Sequence, residues 1–266
     1  MKIFLKILLI VVWVAIVAGV VVMMGFANIT HEVKRCCGIN CTINYKGIDP
    51  LMSNSDLING INKRFGKPQN KAIGEVDVAG ISTFLQKQPY LENTDVQVSV
   101  EGNILIKADQ CEPIIRYITP TGEQHFIDRN GRIMPINPEY PYKTIIATGE
   151  IESALDDGKN IFSIPVTNKL LRNKLKSLYD LHKIATVIVA DCTLNALIEQ
   201  VNITQTGKIQ LVTKAGSHIV YLGDTTDVAE KLENLKCFYK YGLVKTGWNK
   251  YGKINLEYKN QIVCTK

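Results

Sequence analysis

An uninterrupted apolar run from Ile7 to Ala27, directly behind Met1-Lys2-Ile3-Phe4-Leu5-Lys6, constrains this chain more than any other feature. As a helix rising about 1.5 Å per residue it reaches roughly 31 Å, matching a hydrocarbon core of about 30 Å. Nothing comparable recurs, so the run predicts one transmembrane helix over residues 7–27, anchored between Ile7 and Ala27. Lys2, Lys6 and the amino terminus favour a cytoplasmic tail over residues 1–6, although Lys34 and Arg35 reduce the charge asymmetry. Gly25-Phe26-Ala27 places small residues where a signal peptidase cuts, but secretory h-regions run only about 7 to 15 residues. Either outcome puts residues 28–266 across the membrane.

The exported part has a folded composition. Hydrophobic residues make up 46% and charged residues 21%, which argues against long disorder. The formal net charge is +6, and removing Lys2 and Lys6 leaves 29 basic against 25 acidic residues, or +4. That excess is too small and dispersed for nucleic acid binding. Seven cysteines, Cys36, Cys37, Cys41, Cys111, Cys192, Cys237 and Cys264, form no C-x-x-C and no paired zinc spacing. Cys36 or Cys37 with Cys41 could staple the stem in an oxidising compartment. Cys111, Cys192 and Cys237 read as isolated small buried hydrophobes.

Periodicity divides the exported chain. After a stem over residues 28–40, a region at 41–111 reads strand, helix, helix, strand, strand. Thr42 to Tyr45 alternates and stops at Gly47; Ser53 or Ser55 caps a helix carrying Leu57, Ile58 and Ile61 that ends near Gly66. A second helix starts near Asp77 with Val78, Ile81 and Leu85 on one face, and Pro89 closes it. Val96, Val98 and Val100 alternate into Gly102-Asn103, which suits a type II′ turn, and Ile104 and Ile106 return.

Residues 112–266 read as a mostly antiparallel β domain with two helices. Strands are expected at Ile115 to Ile118, His125 to Ile127, Ile133, Val187 to Ala190, Ile198 to Ile203, Ile209 to Thr213 and Ile219 to Leu222. One helix starts from Thr167 with Leu170, Leu171, Leu175, Leu178 and Leu181 on a face. The other starts at Asp227, where Glu230 can complete a capping box, and ends near Gly242. The last strand is expected over Lys253 to Cys264, with Ile254, Leu256, Tyr258, Asn260 and Ile262 on one face. The fold class is therefore α+β: a single N-terminal transmembrane helix, a β-α-α-β-β domain and the β domain.

Catalytic spacing is missing. No G-x-x-x-x-G-K-[ST], G-x-S-x-G or H-E-x-x-H occurs, and His31, His125, His182 and His218 are scattered. An anchored cysteine transpeptidase resembling sortases needs a Thr-Leu-x-Thr-Cys motif that the chain lacks. Asp128, before Asn130-Gly131, reads as a turn residue. Trp248 and Tyr251, with Tyr239 and Tyr241, could form a sugar platform, partner anchors or edge-of-core packing. No cofactor or metal is implied, and the chain reads as a non-enzyme.

The chain resembles the FtsQ/DivIB family of bacterial cell-division proteins. The β-α-α-β-β unit resembles that family's POTRA domain, with Pro89-Tyr90-Leu91-Glu92-Asn93-Thr94-Asp95-Val96 like its helix-to-hairpin junction. Glu112-Pro113-Ile114, Phe126 through Asp128-Arg129-Asn130-Gly131 to Pro135, Ile209-Gln210-Leu211, Tyr221-Leu222-Gly223, Glu230-Lys231-Leu232 and Gly252 through Val263 follow in the family's order. The resemblance implies a division scaffold in the inner membrane, its bulk periplasmic, at the septum. It joins FtsB-like and FtsL-like partners and acts indirectly on FtsW and FtsI in septal peptidoglycan synthesis. A free strand edge near the carboxyl end can accept a partner by β-augmentation, with Trp248, Ile254, Leu256, Glu257, Tyr258, Asn260 and Ile262 as contacts.

Two departures stand out. Gln110-Cys111 replaces a more usual Glu-Arg, loosening an ion pair between the domains. Glu257 replaces a basic residue, which calls for Lys or Arg on this chain's partner. A POTRA-bearing transport or assembly factor is the alternative, although only one such unit is visible and no barrel strands follow. A glycosylated eukaryotic surface protein would use Asn28, Asn40 and Asn202.

Overall fold

Local caps and breakers place the first helices, and burial arranges them. The computed structural model describes residues 12–23, 34–152, 155–163 and 175–266. Residues 12–23 are helical (α1), and their apolar side chains are exposed. The rest of the expected span, with Ile7 and Ala27, the tail 1–6 and the expected helix positions Thr167 to Leu171, lie outside the described residues. Among the described residues no helix is long and apolar enough to cross a membrane.

Contacts divide the chain into two compact units. The first takes in described residues up to Lys46, Met52–Lys87 and Leu91–Asp109; the second takes in Gly47–Leu51, Gln88–Tyr90 and Gln110–Lys266. In the first, β1 (Gly38–Asn44), α2 (Asn54–Phe65), α3 (Val78–Gln86), β2 (Leu91–Val98) and β3 (Asn103–Gln110) follow in order. β1 runs parallel to β3 at the centre of a β1-β3-β2 sheet, since two helices supply the crossover that a parallel pair requires. Ser53 Oγ accepts from Asp56 N at 3.1 Å while Asp56 Oδ2 accepts from Ser53 N at 3.0 Å, a closed capping box. Asp77 Oδ1 caps α3 through Gly80 N at 2.7 Å. Leu57, Ile61, Ile81 and Leu85 are buried along with Ile43, Ile104, Ile106 and Ala108. The hairpin between β2 and β3 turns through Ser99 to Gly102, not through a two-residue turn at Gly102-Asn103. Gly102 N donates to Ser99 O at 3.0 Å, and Val100 is left exposed at the tip.

The second unit holds a nine-stranded sheet: β4 (Pro113–Ile118), β5 (Gln124–Asp128), β6 (Ile133–Pro135), β7 (Ile145–Gly149), β8 (Ile198–Ile203), β9 (Ile209–Thr213), β10 (Ile219–Gly223), β11 (Lys253–Asn255) and β12 (Val263–Thr265). Its order is β12-β11-β10-β9-β8-β7-β4-β5-β6. The sheet is mixed: β4 pairs with β7, β7 with β8 and β10 with β11 in parallel, and the other pairs are antiparallel. β7 was not expected from the sequence.

Helices α4 (Lys176–Ala190), α5 (Cys192–Leu197) and α6 (Val228–Cys237) belong to this unit. Val187 to Ala190, expected as a strand, form the last turn of α4. Leu178, Leu181, Ala185 and Ile188 are buried at helical spacing, so packing of that face overrides the β preference of a Val/Ile-rich stretch. Asp191 Oδ1 then starts α5 by accepting from Thr193 N at 2.8 Å and Leu194 N at 3.1 Å. Cys36, Cys37 and Cys41 form no disulfide with one another, so the expected staple of the stem is not made. Cys111 is buried as expected, whereas Cys192 and Cys237 are exposed, because both sit at helix ends outside the apolar stripe. Gln110, also buried, donates to Asp49 O at 2.9 Å and accepts from Leu51 N at 2.7 Å, so this neutral residue serves backbone groups.

Candidate functional site

The carboxyl-terminal edge of the nine-stranded sheet is built by α6, the helical turns after it, β11 and β12. Val228, Leu232 and Leu235 of α6 face the core. No side chain caps this helix: Asp227 takes a left-handed φ of 49°, and the Asp227/Glu230 capping box is not formed. Lys231 Nζ instead reaches back to Leu222 O and Asp224 O, both at 3.1 Å, and to Asp224 Oδ1 at 3.0 Å. The Lys231 hydrogen bond holds the Asp224 carboxyl down to about 2.

Beyond α6 the chain winds as a π-helix over Phe238–Leu243 and an α-helical turn over Val244–Thr246, past the expected stop near Gly242. The wider turn buries both Tyr239 and Leu243. Tyr239 Oη and Thr213 Oγ1 lie 2.8 Å apart, and Tyr239 Oη also bonds His218 Nε2. Burial pushes the Tyr239 phenol up to about 12 and lowers the His218 pKa, so both stay neutral at physiological pH. Trp248 meets Tyr239 edge-on at 5.7 Å and remains 41% exposed. It is a half-inserted wedge that helps fix the loop entering β11.

The expected strand Lys253 to Cys264 is two strands. β11 pairs in parallel with β10, Leu256 N donates to Tyr221 O at 2.8 Å, and there the chain leaves the sheet. Glu257 N donates to Asn255 Oδ1 at 2.8 Å, Gln261 N donates to Tyr258 O at 3.3 Å, and Asn260 takes a left-handed φ of 57°. The turn returns the chain antiparallel to β11 as β12, with Lys253 opposite Thr265 and Asn255 opposite Val263. The margin of β11 is therefore filled by the chain's own β12, and the sheet's edge lies one strand further out. The reason is local: a polar Lys259-Asn260-Gln261 stretch tolerates a turn, and Asn is among the few residues that enter αL readily.

This break separates residues expected to share one face. Ile254 and Leu256 are 0% and 2% exposed and belong to the core, Ile262 packs partly against it, and Tyr258 is 57% exposed. Glu257 and Asn260 are exposed. Leu256, Glu257, Tyr258 and Asn260 line one cleft with Asp224, Lys231 and Asn234. Asn260 and Ile262 border a second with Phe238 and Tyr241. Asn234 and Gln261 line both. Trp248 and Ile254 line neither. Glu257 is not a bare charge: Lys208 Nζ donates to its Oε1 at 2.8 Å, and that bond lowers the carboxyl pKa. Lys208 is 49 residues away in sequence, so no local signal could have found it. Asp224, Lys231 and Asn234 were likewise missed as cleft residues, whereas Tyr241 was already among the aromatic residues read as possible partner anchors.

Burial raises the Cys264 thiol pKa, opposite to what a nucleophilic thiolate needs. Asp128, buried, accepts from Asn130 N at 2.9 Å and Arg132 N at 2.7 Å through Oδ1, which shapes its turn. What the edge presents is β12, with Val263 41% exposed, beside a cleft carrying one exposed tyrosine, amides and ion-paired charges.

No curated protein matches the chain. The sequence model described as FtsQ/DivIB, C-terminal related matches residues 112–265, more than half of the chain and the whole region from β4 to β12.

Proposed function

Because the chain belongs to the FtsQ/DivIB family of cell-division proteins, we propose that it is a membrane-anchored, non-enzymatic scaffold of the division complex whose β12 edge accepts a strand from an FtsB-like partner. The observation that carries this reading is the position of β12. It is the terminal strand of a nine-stranded sheet, and among the described residues no further strand pairs with its outer side. An exposed edge offers unpaired main-chain donors and acceptors, and the adjoining cleft offers side-chain discrimination. Tyr258 is the anchor there, being large, exposed and seated at the cleft.

Ile254 and Leu256 support the edge from inside, Ile262 and Asn260 shape the return turn, and Trp248 fixes the loop before β11. A cationic partner residue near Glu257 competes with Lys208, so charge complementarity there contributes less than a bare carboxylate would. With an FtsL-like protein the complex would act on septal peptidoglycan synthesis by FtsW and FtsI. The helical, outwardly apolar residues 12–23 support a single span in the inner membrane, since a helix apolar all round needs lipid or protein around it. The amino terminus would then be cytoplasmic, with the POTRA-like and β domains in the periplasm at the septum.

Tyr258→Ala combined with Val263→Lys tests the reading. Capture of an FtsB-like partner should weaken by about 30-fold or more, as for loss of an interface hot spot. Thermal unfolding should stay within a few degrees of the parent's. Unchanged capture by the folded variant would move the interface away from this edge.

A further inference from the structure

The geometry points to a second contact in the first unit: a basic collar with an apolar tip that lies on an anionic membrane surface beside the anchor. This rests on the proposed anchor but concerns different residues. Residues 34–37 are stitched to the unit by main-chain bonds. Cys36 N donates to Lys71 O at 2.8 Å, Ile73 N to Lys34 O at 2.9 Å, Asn70 N to Cys36 O at 2.9 Å and Cys37 N to Gly102 O at 3.0 Å. Lys34 Nζ also holds Val100 O at 2.6 Å. Gly102 is needed for this approach: at a φ of 93°, a Cβ there would meet Arg35 O at 2.8 Å.

The hairpin tip is thus locked to the segment that follows the apolar run. Only six residues lie between Ala27 and Lys34, seven Cα steps with a reach of at most about 25 Å even when extended. Val100 at this tip is 77% exposed, more than any other large hydrophobic residue described outside α1. Around it Lys34, Arg35, Lys67 and Lys71 are all exposed, and a Cβ at Gly66 would lie 3.4 Å from Lys71 Nζ, which brings the 66–71 loop into the same patch. Lys63 and Arg64 extend the cations along the last turn of α2. The acidic residues nearby are Glu75 and Glu101, also exposed, so cations are in clear excess. A surface of this kind, near the proposed transmembrane anchor and tipped by a bare valine, fits phosphate headgroups below an apolar boundary. Docking would fix the first unit's orientation at the membrane surface.

The test uses the full chain in lipid nanodiscs carrying about 30% phosphatidylglycerol, with neutral phosphatidylcholine discs for comparison. Val100→Trp is read as the difference in emission from the unmodified chain, with brominated phospholipids as quenchers. Blue-shifted, quenched emission in anionic discs is expected. It should fall about fivefold or more when Lys34→Gln, Lys67→Gln and Lys71→Gln are combined, and also in about 0.5 M salt. Water-type, unquenched emission from a chain that co-elutes with discs would overturn the docking while leaving the anchor intact. Equal quenching in neutral discs would overturn the anionic recognition. A chain that fails to enter discs would overturn the anchor and this inference together. Unquenched emission, with the triple variant weakening capture of a division partner, would assign the patch to protein.

Discussion

The nine-stranded sheet ends in two three-residue strands, and the chain treats them differently. At the β6 end, Ile133 N donates to Lys159 O at 2.9 Å and Gly158 N to Ile133 O at 2.7 Å, so an irregular segment covers the outer side. Pro135 removes a donor from the same strand. At the β12 end no such cover lies over the edge among the described residues. Natural sheets suppress open edges because they template further pairing, and the difference between the two edges is what the proposed recognition at β12 rests on.

Side-chain truncations should separate support from recognition at the open end. Leu256→Ala, in the core just after β11, is expected to cost about 2–5 kcal/mol in chemical denaturation, whereas Tyr258→Ala should stay within about 1 kcal/mol. Similar costs for both would mean that Tyr258 is structural. At the closed end, Asp128→Ala removes the carboxylate that ties two backbone amides and should cost about 1–3 kcal/mol, with partner capture unchanged. A loss of capture by the folded Asp128→Ala chain would erase the functional asymmetry.

The smallest effect is electrostatic. The Asp224 carboxyl beside the cleft is held to about 2, first by its hydrogen bond from Lys231. A carboxyl with a folded pKa below its unfolded value of about 3.9 stabilises the fold above that value, and the contribution disappears as pH falls toward 2. Asp224→Asn should therefore flatten the acid limb of stability slightly between about pH 4 and 2, the effect being limited by solvent screening. A side-chain NMR titration should place the Asp224 midpoint near 2; a midpoint at the ordinary carboxylate value would remove Lys231 as its partner.

What the sequence revealed follows the range of the forces involved. Ser53 and Asp77 announced their helices because capping is decided within four residues, and Ile81 and Leu85 marked the buried face of α3. Val187 to Ala190 misled because β-branched content is a weaker determinant than the apolar stripe running through Ile184 and Ile188. Leu256 and Tyr258, two residues apart, looked like one strand face, and the turn that parts them depends on Asn260 entering αL. The Glu257–Lys208 pair and the position of β12 at the sheet margin arise only when distant segments meet. An aromatic and aliphatic cluster near the carboxyl end was legible; which members support the edge and which face outward was not.

Amide hydrogen exchange on the full chain, with and without the FtsB-like partner, reads out whether the β12 edge takes up a partner strand. New protection is expected at Val263 to Thr265 on binding, with Ile133 and Met134 unaffected. Protection elsewhere with Val263 to Thr265 exchanging as before would contradict that uptake.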